Sequence, residues 1–238
     1  MSSSKQLHLD IQLDESIRLS KFIECETTES LLKSLKNFLD EEPLTNFLYI
    51  WGNKGVGKSY LLRAVNQELF EKKKKTAFLS FRSSELYSPS ILEGLETLDT
   101  IFIDDIHLLP NSLEWEKALF NFINCCLNQN TKVLVSSERI VKSMAIELPD
   151  LQSRLLAFTA IELPDIKEDE KIIALKEAAD RKGLSLGDKE LVYILSHTSR
   201  SLSDLLKLLS DLDSFSLEKQ RKLTVPLIKE MLSTKGNS

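Results

Sequence analysis

The sequence is poor in cysteine, and its three cysteines, Cys25, Cys125 and Cys126, are spaced neither as metal ligands nor as a disulfide framework. Cys125 and Cys126 lie in an apolar stretch with helical spacing, which favours thiols packed in a core. No apolar run approaches the roughly 18 residues that a membrane-spanning helix needs, and no signal peptide is visible. We therefore expect a cytoplasmic protein with no membrane partner.

An excess of positive charge is also missing. The chain has 36 acidic and 31 basic residues, a net charge of −5, whereas domains that bind nucleic acid directly are typically basic. The densest basic run, four lysines at 72–75, is most simply the end of a helix, where cations suit the helix dipole. The composition argues against a protein that binds DNA by itself.

Glycine is scarce, and its distribution is informative. Three of the seven glycines fall in Gly52-Asn53-Lys54-Gly55-Val56-Gly57-Lys58-Ser59, which fits the pattern G-x-x-x-x-G-K-[ST]. An apolar run at 47–51 precedes it and an amphipathic stretch at 60–70 follows, as in a strand–loop–helix phosphate site. Lys58 would reach the β- and γ-phosphates, and the Ser59 hydroxyl would bind Mg²⁺. The pattern predicts a purine-nucleotide site formed by residues 52–59 together with Tyr60.

Strands and helices alternate through the first two thirds of the sequence. Apolar strands are predicted at 47–51, 76–81, 100–103, 132–136 and 157–163, with helices at 58–70, 90–97, 113–127 and 149–155 between them. This alternation is typical of an α/β three-layer αβα sandwich around a parallel sheet. After Pro164 only helices are predicted, opened by capping boxes at 165–168 and 201–204. We expect a tail at 1–15, an αβα domain at 16–164 and a small all-helical domain at 165–238.

Two carboxylates follow the third strand and are candidates for the rest of the nucleotide site. Asp104 and Asp105 come at the end of a buried strand, the edge at which such sheets bind ligands. Asp104 would hold Mg²⁺, and Asp105 could orient or activate the attacking water. Ser136 ends the next strand and is a candidate sensor of the γ-phosphate, although a plain strand-to-loop junction explains it nearly as well. His107, by contrast, is expected to be isolated.

Arg154 precedes the last predicted strand, a position near a subunit boundary in such folds. It could reach a neighbouring molecule's nucleotide as an arginine finger, a contribution worth about 10³–10⁵ in rate. A surface arginine in an ion pair is an equally good interpretation of its position.

In this order, the phosphate loop, Asp104-Asp105, Arg154 and the helical C-terminal part resemble the AAA+ ATPases. The chain is most similar to the DnaA/Hda branch of that family, through Ile103-Asp104-Asp105-Ile106-His107, Leu148-Pro149-Asp150-Leu151-Gln152-Ser153-Arg154-Leu155 and the C-terminal segment 220–232. The resemblance implies an AAA+ domain followed by a helical lid.

The resemblance also implies a partner for the N-terminal tail. Residues 6–11 are similar to the short peptide with which such proteins bind the DNA polymerase sliding clamp. The expected clamp-binding residues are Gln6, Leu7, Leu9 and Ile11. A tail of this kind orders on binding, whereas without the resemblance an edge strand packed on its own domain is the simpler interpretation.

The family pattern places further residues at the nucleotide, with departures. The adenine is expected near Phe22 and Ile23, which could equally form a hydrophobic staple on the first helix. The lid sensor arginine of other AAA+ proteins falls at Ser203. Either Arg200, one turn earlier, substitutes for it, or the lid of this protein does not contact the γ-phosphate. Asp105 stands where a glutamate is common. These departures imply weak or no intrinsic ATPase activity.

The resemblance implies a regulatory adaptor. Bound to ADP or ATP with Mg²⁺, it would tether to the clamp, reach DNA only through that clamp, and promote hydrolysis of DnaA-bound ATP through Arg154. This would inactivate the initiator and prevent re-initiation of chromosome replication; a homo-oligomer is compatible with the role. The alternatives are a self-sufficient ATPase, such as a helicase loader or remodeller, and a DNA-binding initiator paralogue.

Overall fold

The computed structural model describes residues 18–19, 22, 25–198 and 201–235. Its helices are α1 (Glu29–Leu39), α2 (Lys58–Glu71), α3 (Leu113–Gln129), α4 (Pro149–Leu156), α5 (Glu168–Arg181), α6 (Asp188–His197), α7 (Leu202–Lys219) and α8 (Val225–Lys235). Its strands are β1 (Phe47–Trp51), β2 (Thr76–Ser80), β3 (Thr100–Asp104), β4 (Lys132–Ser137) and β5 (Thr159–Glu162). Among the described residues, no helix is both long and apolar enough to cross a bilayer.

The five strands form one parallel sheet in the order β2-β3-β4-β1-β5. Successive side chains of a strand point to opposite faces, and both faces are buried along the inner strands β1, β3 and β4. Tyr49 and Ile103 belong to the core that also contains side chains of α3 and α4, whereas Ile50 and Phe102 belong to the core that contains side chains of α1 and α2. The expected αβα sandwich is thereby confirmed.

The C-terminal part of the described chain is helical. Helices α5 to α8 share a third core, which includes Leu175, Leu191, Leu209 and Ile228. The expected small helical domain after the sheet is confirmed.

Three local predictions were wrong. The predicted α-helix at 90–97 consists of short 3₁₀ turns at Pro89–Leu92 and Leu95–Thr97, separated by Gly94 at φ 83°. A left-handed glycine interrupts a right-handed helix.

The second error concerns the cysteines. Cys125 lies on the exposed side of α3, so only Cys126 is a core thiol.

The third error concerns the start of α5. The capping box uses Lys167 and Glu170 rather than residues 165 and 168, and the Glu170 carboxylate accepts the Lys167 N–H at 2.8 Å. Asp165 is instead engaged by the ammonium of Lys171 at 2.9 Å. The second capping residue, Ser201, does cap α7, because its Oγ accepts the Asp204 N–H at 3.1 Å.

Gly52 lies at the junction between β1 and the following loop, in close contact with the end of the sheet. Its N–H donates to the carbonyl of Ser137 at 3.2 Å, and a Cβ at this position would fall on the carbonyl oxygen of Leu163. Since the obstacle is backbone rather than a flexible side chain, the junction has room only for glycine.

We expect Gly52→Ala to lower the free energy of unfolding by about 3 kcal/mol, the upper part of the usual range for overpacking. Gly94→Ala is the matched control, because nothing lies within 4 Å of its Cβ position; it should cost about 1 kcal/mol, from its positive φ alone. Urea denaturation measures both values. Equal losses in the two variants would contradict the proposed close contact.

Candidate nucleotide-binding site

The loop between β1 and α2 has the backbone conformation of a phosphate cradle. Gly55 and Gly57 adopt positive φ angles of 83° and 106°, which glycine tolerates best. Lys58 begins α2, and its ammonium donates to the carbonyls of Gly52 at 2.8 Å and Asn53 at 2.7 Å. Burial lowers the pKa of Lys58, against the opposing effect of nearby carboxylates. The lysine is thus held within the loop, where a phosphate would accept hydrogen bonds from its ammonium.

Asp104 joins three elements at the carboxyl end of the sheet. The Ser59 hydroxyl of α2 donates to Asp104 Oδ1 at 3.0 Å, and the Ser136 hydroxyl of β4 donates to the same oxygen. Burial raises the pKa of Asp104, partly offset by the bond from Ser136. A hydroxyl and a carboxylate this close match the ligands that Mg²⁺ takes in nucleotide sites. The two expected metal ligands, Ser59 and Asp104, therefore lie together.

Ser136 also contacts the neighbouring acid. Its Oγ accepts the Asp105 N–H at 2.9 Å while donating to Asp104. The hydroxyl is buried among these two partners. Ser136 thus links the carboxylate of Asp104 to the backbone of Asp105, which is more than a strand-to-loop junction requires.

Asp105 is paired with a cation that the sequence analysis did not single out. Arg82, from the 3₁₀ turn after β2, donates through Nε to Asp105 Oδ2, and its Nη2 lies 3.9 Å from the Glu138 carboxylate. The hydrogen bond to Asp105 raises the pKa of Arg82 further. Arg82 follows β2 and Glu138 follows β4, the two strands that flank β3 in the sheet. Because ligand-binding residues gather at the carboxyl ends of parallel strands, this order of strands, once known, identifies both residues.

His107 belongs to this cluster, so the expectation of an isolated histidine was wrong. Its Nδ1 accepts the Glu138 N–H at 3.2 Å, and its Nε2 lies 3.7 Å from the Glu138 carboxylate. Burial lowers the pKa of His107, which keeps the ring neutral at pH 7. Asp105, His107 and Glu138 bring ligand atoms within 4.8 Å of one another, and the Arg82 guanidinium is bonded to one of the two carboxylates, that of Asp105.

An aromatic pair flanks the loop on the side of α2. Phe22 and Tyr60 stack with ring centroids 6.3 Å apart, and the Phe22 ring lies 3.5 Å from the position of a Cβ on Gly57. The Tyr60 hydroxyl donates to the Arg18 carbonyl at 3.1 Å. Phe22 is therefore next to the phosphate loop, while Ile23 lies outside the described residues.

A cavity of about 540 Å³ opens between the loop and the helical domain. Its lining comprises Lys54, Gly55, Gly57, Lys58, Ser59, Tyr60, Arg82, Asp105, Glu138, Ser201 and Asp204. The lid wall is thus formed by the start of α7. Arg200 lies outside the described residues, and the Ser203 side chain is not described, so their predicted nucleotide contacts stay predictions.

Arg154 lies apart from this cavity, on the exposed side of α4. Within the described part of the chain its side chain has no hydrogen-bond or ion-pair partner. The start of α4 is held by Glu116, a buried residue of α3 whose carboxylate accepts the N–H groups of Glu147 at 3.1 Å and Leu148 at 2.6 Å. Sequence reasoning missed Glu116, because nothing local distinguishes it from the exposed acids of the same helix.

The clamp-binding residues Gln6, Leu7, Leu9 and Ile11 lie outside the described residues. Their role stays a prediction.

Comparison with known proteins covers nearly the whole chain. Residues 13–161 match the family model of the bacterial DnaA ATPase domain, and residues 168–232 match the Hda lid domain. A protein of Haemophilus influenzae is 33% identical over 233 residues, covering 97% of this chain and 99% of its own length.

Solved structures share the fold at lower identity. AMPPCP-bound DnaA from Aquifex aeolicus has a TM-score of 0.73 at 19% identity; the alignment covers 84% of this chain and 66% of the Aquifex chain, so this chain spans just under two thirds of that relative. Domain III of Thermotoga maritima DnaA has a TM-score of 0.79 at 16% identity over 93% and 97% of the two chains. A variant of RuvB from Thermotoga maritima has a TM-score of 0.70 at 18% identity over 94% and 73%.

The two family models together account for both the sheet domain and the helical lid. The chain belongs to the DnaA/Hda family of AAA+ proteins.

Proposed function

We propose that this chain is a nucleotide-bound regulatory adaptor that inactivates the replication initiator DnaA. The loop at 52–59 would hold the phosphates of ADP or ATP, and Tyr60 and Phe22 would lie beside the nucleoside. The Aquifex relative was solved with AMPPCP, which supports a nucleotide ligand here. Ile23, Arg200 and Ser203 are proposed as further contacts.

Ser59 and Asp104 are the residues proposed to hold Mg²⁺, which when bound would neutralise phosphate charge. Their separation of 3.0 Å at the carboxyl edge of the sheet supports this assignment. Ser136 is proposed to report on the terminal phosphate through the Asp104 carboxylate to which it donates.

The observation that carries the adaptor role is the exposed guanidinium of Arg154, which has no partner among the described residues. An exposed arginine on a helix whose start is fixed by a buried carboxylate is pre-positioned to reach a second molecule. The following strand, β5, is at the edge of the sheet, so this side of the domain is open. We propose that Arg154 enters the nucleotide site of DnaA as an arginine finger.

The tail at 1–15 is proposed to bind the sliding clamp through Gln6, Leu7, Leu9 and Ile11, so that the chain reaches DNA indirectly. Residues 16–164 and 165–238 would form the AAA+ and lid domains. Binding to a DNA-loaded clamp would raise the local concentration of the adaptor near the initiator. The result would be conversion of DnaA to its ADP form and prevention of re-initiation.

Asp104→Asn should stabilise the ligand-free protein and at the same time weaken Mg²⁺-dependent nucleotide binding. The asparagine Oδ1 can still accept from Ser59 and Ser136, and loss of a buried charge should raise the free energy of unfolding by about 0.5–2 kcal/mol in the absence of ligand. Mg²⁺-dependent stabilisation by ADP should be lost. Thermal denaturation with and without Mg·ADP tests both effects; full retention of the Mg²⁺ effect would refute the metal role of Asp104.

Arg154→Ala should remove the stimulation of DnaA-bound ATP hydrolysis. Where the finger is rate-determining, the stimulated hydrolysis rate should fall by a factor of about 10³ or more. The measurement is the decay of ATP pre-bound to DnaA in the presence of DNA-loaded clamp. Arg181→Ala, another exposed arginine, paired with Glu177 on its own helix, is the matched control and should retain activity.

Gln6→Ala in the same assay tests the tether separately. It should lose stimulation at low protein concentration and regain it at high concentration, since avidity rather than chemistry is removed. Wild-type stimulation by Arg154→Ala would reject the finger, and no stimulation by wild-type protein would reject DnaA as the partner.

A further inference from the structure

A pair of side chains, Thr27 and Glu170, connects the sheet domain to the helical domain. The Thr27 hydroxyl donates to both carboxylate oxygens of Glu170, at 3.0 and 2.9 Å. Thr27 lies in the turn that opens α1, a helix whose side chains share a core with the sheet. Glu170 lies in the first turn of α5, at the start of the helical domain. The Thr27–Glu170 pair therefore bonds the two domains to each other.

The Glu170 carboxylate is fixed from its own side as well. It accepts the Lys167 N–H at 2.8 Å in the capping box of α5. This N–H holds the pKa of Glu170 below its ordinary value, and the Thr27 hydroxyl acts in the same direction, so the group is ionised at pH 7. Hydrogen bonds to a charged acceptor are stronger than bonds between neutral groups. The acceptor that meets Thr27 is thus charged and already in place.

The turn that carries Thr27 is also restrained. The Cys25 N–H donates to Thr28 Oγ1 at 3.1 Å, and the Thr28 N–H donates to the Cys25 carbonyl at 3.0 Å. A second contact between the domains, from Lys167 to Glu26 at 3.6 Å, joins two exposed side chains, and such ion pairs contribute little. We therefore take the Thr27–Glu170 pair as the main bond between this turn and α5.

The two sides of the pair lead to two different walls of the nucleotide cavity. On the sheet side, Phe22 precedes the turn, stacks with Tyr60 and lies beside the phosphate loop. On the helical side, Ser201 and Asp204 at the start of α7 line the cavity, and α7 shares the core of the helical domain with α5. A bond between the turn and α5 therefore bears on how far apart these walls lie.

We propose that the Thr27–Glu170 pair holds the helical domain in the arrangement that accepts a nucleotide, which makes Glu170 a positioning residue for ligand binding. The inference rests on the nucleotide site of the proposed function and deepens it. The apparent affinity of a ligand falls in proportion to the fraction of molecules that are in the binding-competent arrangement. Loss of the pair would lower that fraction and remove no side chain that lines the cavity.

The test is calorimetric titration of the full-length protein with Mg·ADP. Thr27→Val removes the hydroxyl but keeps the branched shape and the Glu170 cap of α5. It should raise the Kd for ADP about fivefold, the lower end of typical coupling between sites. Thr27→Ser keeps the hydroxyl and should bind ADP as the wild type does. Ser34→Ala is the matched control, because the Ser34 hydroxyl donates to the Ser30 carbonyl within α1; its Kd should not change.

A double-mutant cycle shows whether the effect passes through the pair. Glu170→Gln replaces the charged acceptor with a neutral one and should also raise the Kd for ADP. Because both substitutions act on the same bond, the variant that combines Thr27→Val with Glu170→Gln should bind ADP no more weakly than the weaker of the two single variants. Two residues with separate structural roles would instead give losses that multiply.

The inference is overturned if Thr27→Val binds ADP as tightly as the wild type, if Thr27→Ser is as weak as Thr27→Val, or if the losses multiply in the double variant. Failure of the wild-type protein to bind ADP would instead reject the proposed nucleotide site, and the role of the pair with it. The wild-type titration therefore distinguishes the two failures.

Discussion

The buried carboxylate of Asp104 is the constraint on which the site depends. It ends β3 and accepts hydroxyl bonds from Ser59 on α2 and Ser136 on β4, so it fixes the phosphate loop against the centre of the sheet. An ionised group in this place is costly in the empty protein, because burial raises its pKa. We interpret the buried carboxylate as a group that lowers the stability of the empty protein and that a metal-bound nucleotide would stabilise.

The two cations at the cavity have different partners. Lys58 faces carbonyl oxygens of its own loop, and Arg82 neutralises Asp105 while approaching Glu138. Lys58 thus lies within the loop, and Arg82 lies at the carboxylates that follow β3 and β4. Arg154 is different, since it is exposed and has no partner among the described residues, which suits a role in a second molecule's site.

Much of the fold and part of the site could be predicted from the sequence, because the signals are local. Strand–helix alternation predicted the parallel sheet, and the loop motif with Asp104 predicted which side chains meet. The helix at 90–97 could not be predicted correctly, since Gly94 breaks an otherwise helical pattern. Arg82 was also missed, because its contact with Asp105 arises only when strands distant in sequence become neighbours.

The most direct test of the account is calorimetric titration of the protein with Mg·ADP, comparing wild type with Lys58→Ala. The account predicts one equivalent of ADP bound by the wild-type protein and a loss of binding in the variant, which keeps the loop but lacks the ammonium that would contact the phosphates. Equal binding by both proteins would contradict the central claim that this loop is the nucleotide site, as would no binding by either.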